Sequence, residues 1–185
     1  MEEREYKWLV QKPAFYELHR KFEAAGYAGS GRILQLNYYY DTPDLDYDRA
    51  GITIRIRQIE DRLTGTVKTH TSGSGSGLSL ENCFKVHRLP ASFNYKSDNL
   101  LFQGQLVTER RLFQLTDGVT VCFDKNYYLG CLDYEIELEY AAERETAAFN
   151  WYTALCEYIK KHDRDTRICR SKSDRFFRVK KNMLF

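Results

Sequence analysis

The sequence alternates most strictly over residues 134–140, which read Tyr-Glu-Ile-Glu-Leu-Glu-Tyr. Because successive side chains of a β-strand point to opposite faces of the sheet, this stretch predicts a strand with carboxylates on one face and apolar side chains on the other. An antiparallel strand with one face on the core and one face in water would alternate in the same way. Carboxylates at every second position repel one another, however, and a face in water would more often mix charges of both signs. The stretch therefore favours an acidic face that meets positive charge inside the protein.

The same period-two alternation covers most of the chain and predicts eight strands. They are expected over residues 2–11, 33–41, 51–60, 63–71, 78–87, 103–115, 118–125 and 131–140. Helical spacing of apolar residues predicts helices over residues 13–26 and 143–162, and a short third helix over residues 172–181. Strands that outnumber helices and do not alternate with them indicate an α+β fold with a mostly antiparallel sheet. Eight strands also suffice to close a small barrel around an interior filled with side chains.

Length and composition indicate a globular protein. The chain has 185 residues, of which 43% are hydrophobic and 29% charged, so we expect one folded domain over residues 1–185. A net charge of +2 gives no support to a nucleic-acid partner. The absence of a long apolar stretch argues against a membrane span, and the acidic start differs from a signal peptide, so we expect the protein in the cytoplasm. The five cysteines include no C-x-x-C pair, which favours reduced thiols over a zinc site or disulfides.

One segment stands apart in composition, since residues 72–77 read Ser-Gly-Ser-Gly-Ser-Gly. Such a segment has few side chains to pack, and it favours a long hairpin loop between two strands. A backbone cradle for phosphate is the alternative, but the strand, helix and Lys-Ser/Thr pair of a P-loop do not surround it.

The charged faces of the strands change sign along the chain. Acidic faces lie near the two ends, in strands 2–11 and 131–140, and basic residues lie between them, at Arg55, Arg57 and Lys68. If the sheet closes with its charged faces inward, both signs meet in one cavity, and the apolar faces point outward for two helices to cover. Clustered carboxylates favour hard cations such as Mg²⁺ or Mn²⁺, and clustered Arg and Lys favour phosphate. A metal-bound polyphosphate would satisfy both groups.

Several short motifs occur in the order of a known family. The first is Glu3-Arg4-Glu5-Tyr6-Lys7, an E-x-E-x-K motif. The others are Tyr40-Asp41-Thr42, Gly51 with Ile54-Arg55-Ile56-Arg57, Thr66-Val67-Lys68, Thr108-Glu109-Arg110, Phe123-Asp124, Tyr134-Glu135-Ile136-Glu137 and Ser171-Lys172-Ser173-Asp174-Arg175. In these motifs the chain resembles the CYTH domains, or triphosphate tunnel metalloenzymes, and among them the small single-domain bacterial members.

The resemblance implies an eight-stranded antiparallel β-barrel, closed or nearly closed, with a charged interior and a few flanking helices. It also implies a divalent-metal-dependent enzyme, since members of the family hydrolyse inorganic triphosphate, thiamine triphosphate or RNA 5′-triphosphate ends, or cyclise ATP. By matching position, the metal ligands would be Glu3, Glu5, Asp124, Glu135 and Glu137. The phosphate-binding residues would be Lys7, Arg55, Arg57, Lys68, Arg110, Lys172 and Arg175. Of these two sets, Glu5, Glu137 and Lys7 would act in catalysis.

Three positions depart from the family pattern or require a choice. Many members carry an Arg and a nearby Glu on the fifth strand, whereas this chain offers only Glu81, so one phosphate contact has no counterpart here. Arg110 and Arg111 must face opposite ways in a regular strand, and the T-x-R match selects Arg110 for the interior. Glu139 lies on the acidic face of its strand but is expected beyond the metal, near the mouth of the tunnel.

The predicted function is a triphosphatase that hydrolyses inorganic triphosphate or a small organic triphosphate with Mg²⁺ or Mn²⁺. A binding module that keeps the polyanion site without turnover is the first alternative, and an adenylate cyclase is the second. A basic cluster beside Phe176 and Phe177 also admits an RNA-binding tail, although a solvated helix face explains most of it. Its members are Arg164, Arg167, Arg170, Lys172, Arg175, Arg178, Lys180 and Lys181.

Overall fold

The structure, a computed structural model, describes residues 2–70, 77–163, 167–168 and 170–183. Its strands are β1 (Glu2–Val10), β2 (Ala28–Gly29), β3 (Ile33–Asp41), β4 (Ile52–Ile59), β5 (Arg62–His70), β6 (Gly77–Lys85), β7 (Ser92–Tyr95), β8 (Asp98–Thr116), β9 (Val119–Tyr128), β10 (Cys131–Tyr140) and β11 (Arg167–Ile168). Its helices are α1 (Lys12–Ala24), α2 (Asp46–Arg49), α3 (Glu145–His162) and α4 (Lys172–Met183). No helix in the described ranges has the length and apolar character needed to cross a membrane.

Eight strands form a ring of antiparallel neighbours. Their order is β10–β9–β8–β3–β4–β5–β6–β1, and β1 pairs in turn with β10. The eight-stranded antiparallel barrel predicted from the sequence is confirmed, with a closure that is only partial, because among the described residues β1 and β6 pair only over Glu2–Glu5. The ring takes strands from both ends of the chain, and one domain over residues 1–185 stays a prediction.

The Ser-Gly segment connects two neighbours in this ring. Residues 72–76 lie outside the described residues, and Gly77 is the first residue of β6. The strands on either side, β5 and β6, pair antiparallel from Thr64–Lys85 to His70–Ser79. The hairpin loop predicted over residues 72–77 therefore lies outside the described residues except for Gly77.

Alternation along each strand sets charged side chains inside the ring and apolar side chains outside it. In β4, Ile54 and Ile56 are each 1% exposed and belong to an outer apolar cluster, whereas Arg55 and Arg57 line the interior. β10 repeats the pattern, with Ile136 in the outer core between two inward carboxylates. The inward orientation of the charged faces agrees with the sequence-based expectation.

Two layers cover the apolar outside of the ring. Helices α1 and α3 cover β1, β9 and β10, where Phe15 and Leu155 join Phe123 in one buried cluster. On the opposite side, Phe93 of β7 and Leu100 of β8 pack on the apolar residues of β4 and β5. The sequence predicted that two helices would cover the whole apolar outside of the ring, so the contribution of β7 was not predicted. A four-residue strand with alternately exposed and half-buried side chains gives too short a period-two signal to predict.

Helix α4 closes one end of the ring. Phe176 and Phe177 are buried against Tyr39, Leu106 and Tyr128, which come from three neighbouring strands. The third helix expected from the sequence is therefore confirmed, two residues longer than predicted at its C-terminal end. Because both phenylalanines pack inside the protein, they offer no stacking surface to RNA bases.

The Tyr-Asp-Thr motif organises the turn after β3. The carboxylate of Asp41, which is 1% exposed, accepts hydrogen bonds from the backbone N–H groups of Thr42, Tyr47 and Asp48 at 2.7, 3.0 and 2.9 Å. These bonds form the short helix α2, which the sequence did not predict because its cap is a buried carboxylate at the end of the preceding strand. Lys181 of α4 then pairs with Asp48 at 2.5 Å.

The outer packing of β5 and β6 gives the first testable prediction. Gly65 faces Phe84 across this strand pair, and a Cβ at Gly65 would lie 2.2 Å from the ring. We expect Gly65→Ala to lower the free energy of unfolding by about 1–3 kcal/mol, because the ring must leave its place in the packed outer layer. Urea unfolding measures the effect. Gly31→Ala is the matched control, since a Cβ there meets nothing within 4 Å, and equal stability losses would contradict the packing.

Candidate functional site

The interior of the ring holds a cavity whose lining is polar throughout. Six basic and three acidic side chains line it together with three hydroxyl groups. These described lining residues are Glu5, Lys7, Thr53, Arg55, Arg57, Lys68, Arg110, Glu137, Glu139, Ser171, Lys172 and Ser173. None of them is aromatic or aliphatic, so the cavity is suited to ions rather than to apolar ligands.

Three carboxylates meet on neighbouring strands at one side of this interior. Asp124 of β9 pairs in register with Glu135 of β10, and Glu137 follows two residues later on the same face. One oxygen of each carboxylate lies within 4.8 Å of the others, and the three residues are 0%, 0% and 4% exposed. This set of hard oxygen ligands matches what Mg²⁺ and Mn²⁺ prefer. We call Asp124, Glu135 and Glu137 the carboxylate cluster.

Basic side chains keep the carboxylate cluster ionised. Burial alone would raise the pKa of Glu135, but Lys172, Arg175 and Lys7 outweigh burial and bring this pKa to about 2. Burial would likewise raise the pKa of Glu137, but Lys172, Arg110 and Lys7 outweigh burial and hold this pKa well below its usual value. Both groups are therefore charged at neutral pH, as cation ligands have to be.

Lys172, the first residue of α4, lies at the centre of the carboxylate cluster. Its Nζ is 2.9 Å from Asp124, 2.7 Å from Glu135 and 2.6 Å from Glu137. The three carboxylates raise the pKa of Lys172 well above its usual value although burial acts against this shift. A single ammonium thus forms an ion pair with every member of the cluster and donates a hydrogen bond to Glu137.

Arg110 of β8 joins the same cluster from the other side. Its Nε and Nη2 donate to the two oxygens of Asp124 at 2.7 Å each, Nη1 donates to Glu139 at 2.8 Å, and Nη2 also contacts Glu137. The next residue, Arg111, points outward to Glu23. Arg110 is therefore the interior residue of the pair, as the T-x-R match selected. Glu139 is 33% exposed in its side chain, in keeping with the expected place near the mouth.

The opposite side of the cavity is basic. Arg55 and Lys68 each lie 3.3 Å from Glu81, and Arg57 donates from Nε to Asn37 at 2.8 Å. Burial, together with the guanidinium groups of Arg55 and others, lowers the pKa of Arg57 to about 10, so it stays charged at neutral pH. Arg55 Nε is buried and has no hydrogen-bond partner among the described residues. Crowded cations with such a donor form a site for an anion.

Lys7 and Glu5 of β1 connect the two sides of the cavity. Lys7 contacts Glu5 directly and lies 4.0 Å from Glu137, and Lys68 lies 3.9 Å from Glu5. Glu5, which is 4% exposed, therefore faces the cavity next to both basic and acidic groups. Glu3 is two residues earlier on the same strand, and its side chain lies outside the described part of the structure.

Arg175 lies deeper, where α4 closes the ring. Its guanidinium binds Asp133 at 2.9 Å and Glu135 at 2.8 Å and also donates to the backbone oxygen of Arg170. Asn126 donates to Asp133 and Glu135 in the same layer. The structure thus places Arg175 against one predicted metal ligand, at the base of the site.

Several polar residues of the site were not predicted from the sequence. Asp133 and Asn126 lie two residues from predicted ligands on the same strand faces, so an extended alternation would have found them. Asn37 lies opposite Arg57 on β3, and only the register between β3 and β4 reveals this contact. Thr53 donates to Ser173 of α4 at 2.8 Å, a contact that depends on how α4 docks.

The free space between these side chains is about 50 Å³. A buried water needs about 10–15 Å³ of such free volume, so the cavity has room for a few waters at most. Ion pairs draw the basic side chains onto the carboxylates, and a larger polyanion requires some of these pairs to exchange partners.

Comparisons with known proteins agree with this geometry. The family model described as the CYTH domain matches residues 1–161. A Bacillus halodurans protein provisionally assigned as an adenylate cyclase is 25% identical, with a TM-score of 0.67, and the match covers 94% of this chain and 96% of that chain. None of the curated proteins matches the sequence.

Two further solved structures share the fold at lower sequence identity. An adenylyl cyclase candidate from Hippeastrum with a dominant triphosphatase activity is 17% identical, with a TM-score of 0.71 and coverage of 96% of this chain and 95% of that chain. The triphosphatase of the Mimivirus capping enzyme is 9% identical, with a TM-score of 0.62 and coverage of 86% and 89%.

The depressed pKa of Glu135 predicts how stability depends on pH. This pKa is about 2 in the folded protein and near 4.5 for an ordinary Glu, so the ionised form stabilises the fold above about pH 4.5. We expect the free energy of unfolding to fall as pH drops from 4.5 towards 2. Urea unfolding should show a shallower loss in this window for Glu135→Gln. Glu157→Gln on the exposed face of α3 is the control, and identical slopes for both variants would contradict the prediction.

Proposed function

The chain belongs to the CYTH domain family, and from this premise we propose that it is a divalent-metal-dependent triphosphatase acting on inorganic triphosphate or a small organic triphosphate. One observation carries the proposal. One cavity has Glu137 of the buried carboxylate cluster on one side and crowded Arg and Lys side chains on the other, so its two sides suit a cation and a polyanion together. A metal-bound triphosphate has both charges in one ligand.

The carboxylate cluster, with Glu5 and Glu3 of β1, would hold the cation. Mg²⁺ or Mn²⁺ suits a set of carboxylate oxygens, and either would neutralise phosphate charge and make water more acidic. Asp124 and Glu135 face each other in register and Glu137 lies beside them, so the ligands are presented by rigid strands.

The basic side chains would bind and orient the phosphates. Arg55, Arg57 and Lys68 face the carboxylate cluster across the cavity, and Lys7 lies between the two sides. A guanidinium group can donate hydrogen bonds to two phosphate oxygens at once. Its positive charge also offsets the negative charge that develops on the transferred phosphoryl group. We assign the same phosphate-binding role to Arg110 and Lys172. Arg175 would support it from the base of the cavity by fixing Glu135 and α4.

The remaining task is to activate water. In hydrolysis the water oxygen bonds to the terminal phosphorus, the bond from that phosphorus to the bridging oxygen breaks, and the water proton has to be accepted. Glu5 would accept this proton, and its position in the cavity lining next to Lys7, which also lies 4.0 Å from Glu137, supports this role. Lys7 would offset the charge on the departing phosphate.

The polar lining favours inorganic triphosphate over a nucleotide. Since no aromatic side chain occurs among the described lining residues, the cavity offers no stacking surface for adenine. The lack of a stacking surface weighs against an adenylate cyclase activity in this chain, which is the activity provisionally assigned to the Bacillus halodurans protein. A binding module without turnover would use the same cavity, and only a measurement of hydrolysis distinguishes it from a triphosphatase. The cytoplasmic location stays a proposal.

A phosphate-release assay tests the function. We expect release from inorganic triphosphate with Mg²⁺ or Mn²⁺, less release from ATP, and none with a chelator present. Glu137→Gln should reduce the rate strongly, whereas Glu157→Gln should not, because Glu157 lies on the exposed face of α3. Triphosphate recovered intact after binding would identify a binding module, and cyclic AMP formed from ATP would identify a cyclase. Either result would contradict the proposal.

Arg57→Ala separates phosphate binding from folding. The loss of one charge-assisted contact is worth about 1.5–3 kcal/mol, so affinity for a triphosphate analogue with methylene bridges should fall about 10- to 100-fold. Calorimetry in the presence of Mg²⁺ measures this affinity. Arg62→Ala is the matched control, because Arg62 is an exposed residue of the neighbouring strand. Unchanged affinity in Arg57→Ala would place Arg57 outside the phosphate site.

A further inference from the structure

The ammonium of Lys172 occupies the position that a cation would take in the carboxylate cluster. Its Nζ lies 2.6–2.9 Å from one oxygen of each of Asp124, Glu135 and Glu137, and it donates a hydrogen bond to Glu137. One positive charge therefore lies against all three carboxylates at once. Arg110 takes further oxygens of Asp124 and Glu137.

A divalent cation cannot bind among the same oxygens while Lys172 remains there. Metal–oxygen distances of about 2–2.6 Å require the cation to sit close to all three carboxylates. Two positive centres in this space would repel strongly, because the surroundings are buried and screen charge poorly. Lys172 and the cation therefore compete for one position.

The rest of α4 holds this lysine without preventing its movement. Arg175, one turn later, is fixed by Asp133 and Glu135, and Phe176 and Phe177 are buried. Lys172 begins the helix, and its side chain has four rotatable carbon–carbon bonds. Its ammonium can therefore leave the cluster while the docked part of α4 stays in place. Lys172 also lies outside residues 1–161, which the family model matches.

We propose that Lys172 is a tethered counter-ion that holds the cation position and exchanges for the divalent cation. When the cation binds, the ammonium turns into the cavity and contacts the phosphate oxygens. This second half of the proposal rests on the proposed function. The exchange lowers the affinity for the cation alone, since only the fraction of molecules with Lys172 displaced can bind it. A polyphosphate gives the displaced ammonium a new partner, so cation and polyphosphate bind cooperatively.

Calorimetry with Mn²⁺ alone tests the first half. We expect Lys172→Met to bind Mn²⁺ with a Kd at least about tenfold lower than the wild-type chain, because the competitor is gone. A lysine that only binds phosphate would give a different result, because its removal would leave the Mn²⁺ affinity unchanged. Lys180→Met is the matched control on the same helix, since Lys180 donates to the backbone oxygen of Gln103 outside the cluster. Equal or weaker Mn²⁺ binding by folded Lys172→Met would overturn the proposal.

A measurement on the wild-type chain covers the case in which Lys172→Met fails to fold. Acylation by a succinimidyl ester, read by peptide mass spectrometry, reports how often each lysine side chain is accessible as the neutral amine that attacks the ester. We expect Mn²⁺ to speed the labelling of Lys172 severalfold and to leave Lys180 unchanged. Unchanged or slower labelling of Lys172 at saturating Mn²⁺ would overturn the exchange.

The outcome is independent of turnover. Tighter Mn²⁺ binding by Lys172→Met in a protein that releases no phosphate would support the exchange and contradict the triphosphatase. Hydrolysis by a wild-type chain whose Mn²⁺ affinity does not respond to Lys172→Met would support the triphosphatase and overturn the exchange.

Discussion

Three carboxylates buried in one barrel stay ionised only while cations lie against them, because burying a lone ion costs far more free energy than burying a paired one. Arg110 meets this requirement from β8 and Lys172 meets it from α4. Arg110 thereby joins β8 to β9 and β10, and Lys172 joins α4 to the same two strands. Ion pairs therefore hold the inside of the ring together, and apolar packing of α1, α3 and β7 holds the outside.

The same constraint determines what the site can do. Removing one partner of a buried ion pair is strongly destabilising, so a ligand that displaces a basic side chain from a carboxylate has to replace its charge. In the proposed function a cation would do this for the carboxylate cluster, and a polyanion would do it for the displaced Lys172 and for Arg55 and Arg57. The small free space has the same origin, since Lys7, Arg55, Lys68, Arg110 and Lys172 each lie against a carboxylate. Binding is therefore an exchange of partners rather than the filling of an open cavity.

The ring was predictable because its two faces differ so strongly. In β4, Arg55 and Arg57 alternate with Ile54 and Ile56, and the period-two signal separates the charged face from the apolar face. The inward direction of the charges follows from the repulsion between like charges on one face and from the family resemblance. The signal fails for β7 and α2, which are four residues each and depend on contacts from distant parts of the chain. In the site, the inward residues of each strand follow from alternation. Their pairing does not, because the position of Lys172 depends on how α4 docks on Tyr39 and two other strands.

Helix α4 presents two cations to the interior, and their chemistry suits different tasks. Arg175 offers a rigid planar fork, which binds Asp133 and Glu135 together and fixes the helix to β10. Lys172 offers a compact charge on a flexible stem, which can donate to three carboxylates or turn away without breaking a planar arrangement. An Arg at position 172 would tie the carboxylates more firmly, and a Lys at position 175 would anchor the helix less well. The order of the two residues in Ser171-Lys172-Ser173-Asp174-Arg175 thus places the exchangeable charge at the cavity and the fixed charge behind it.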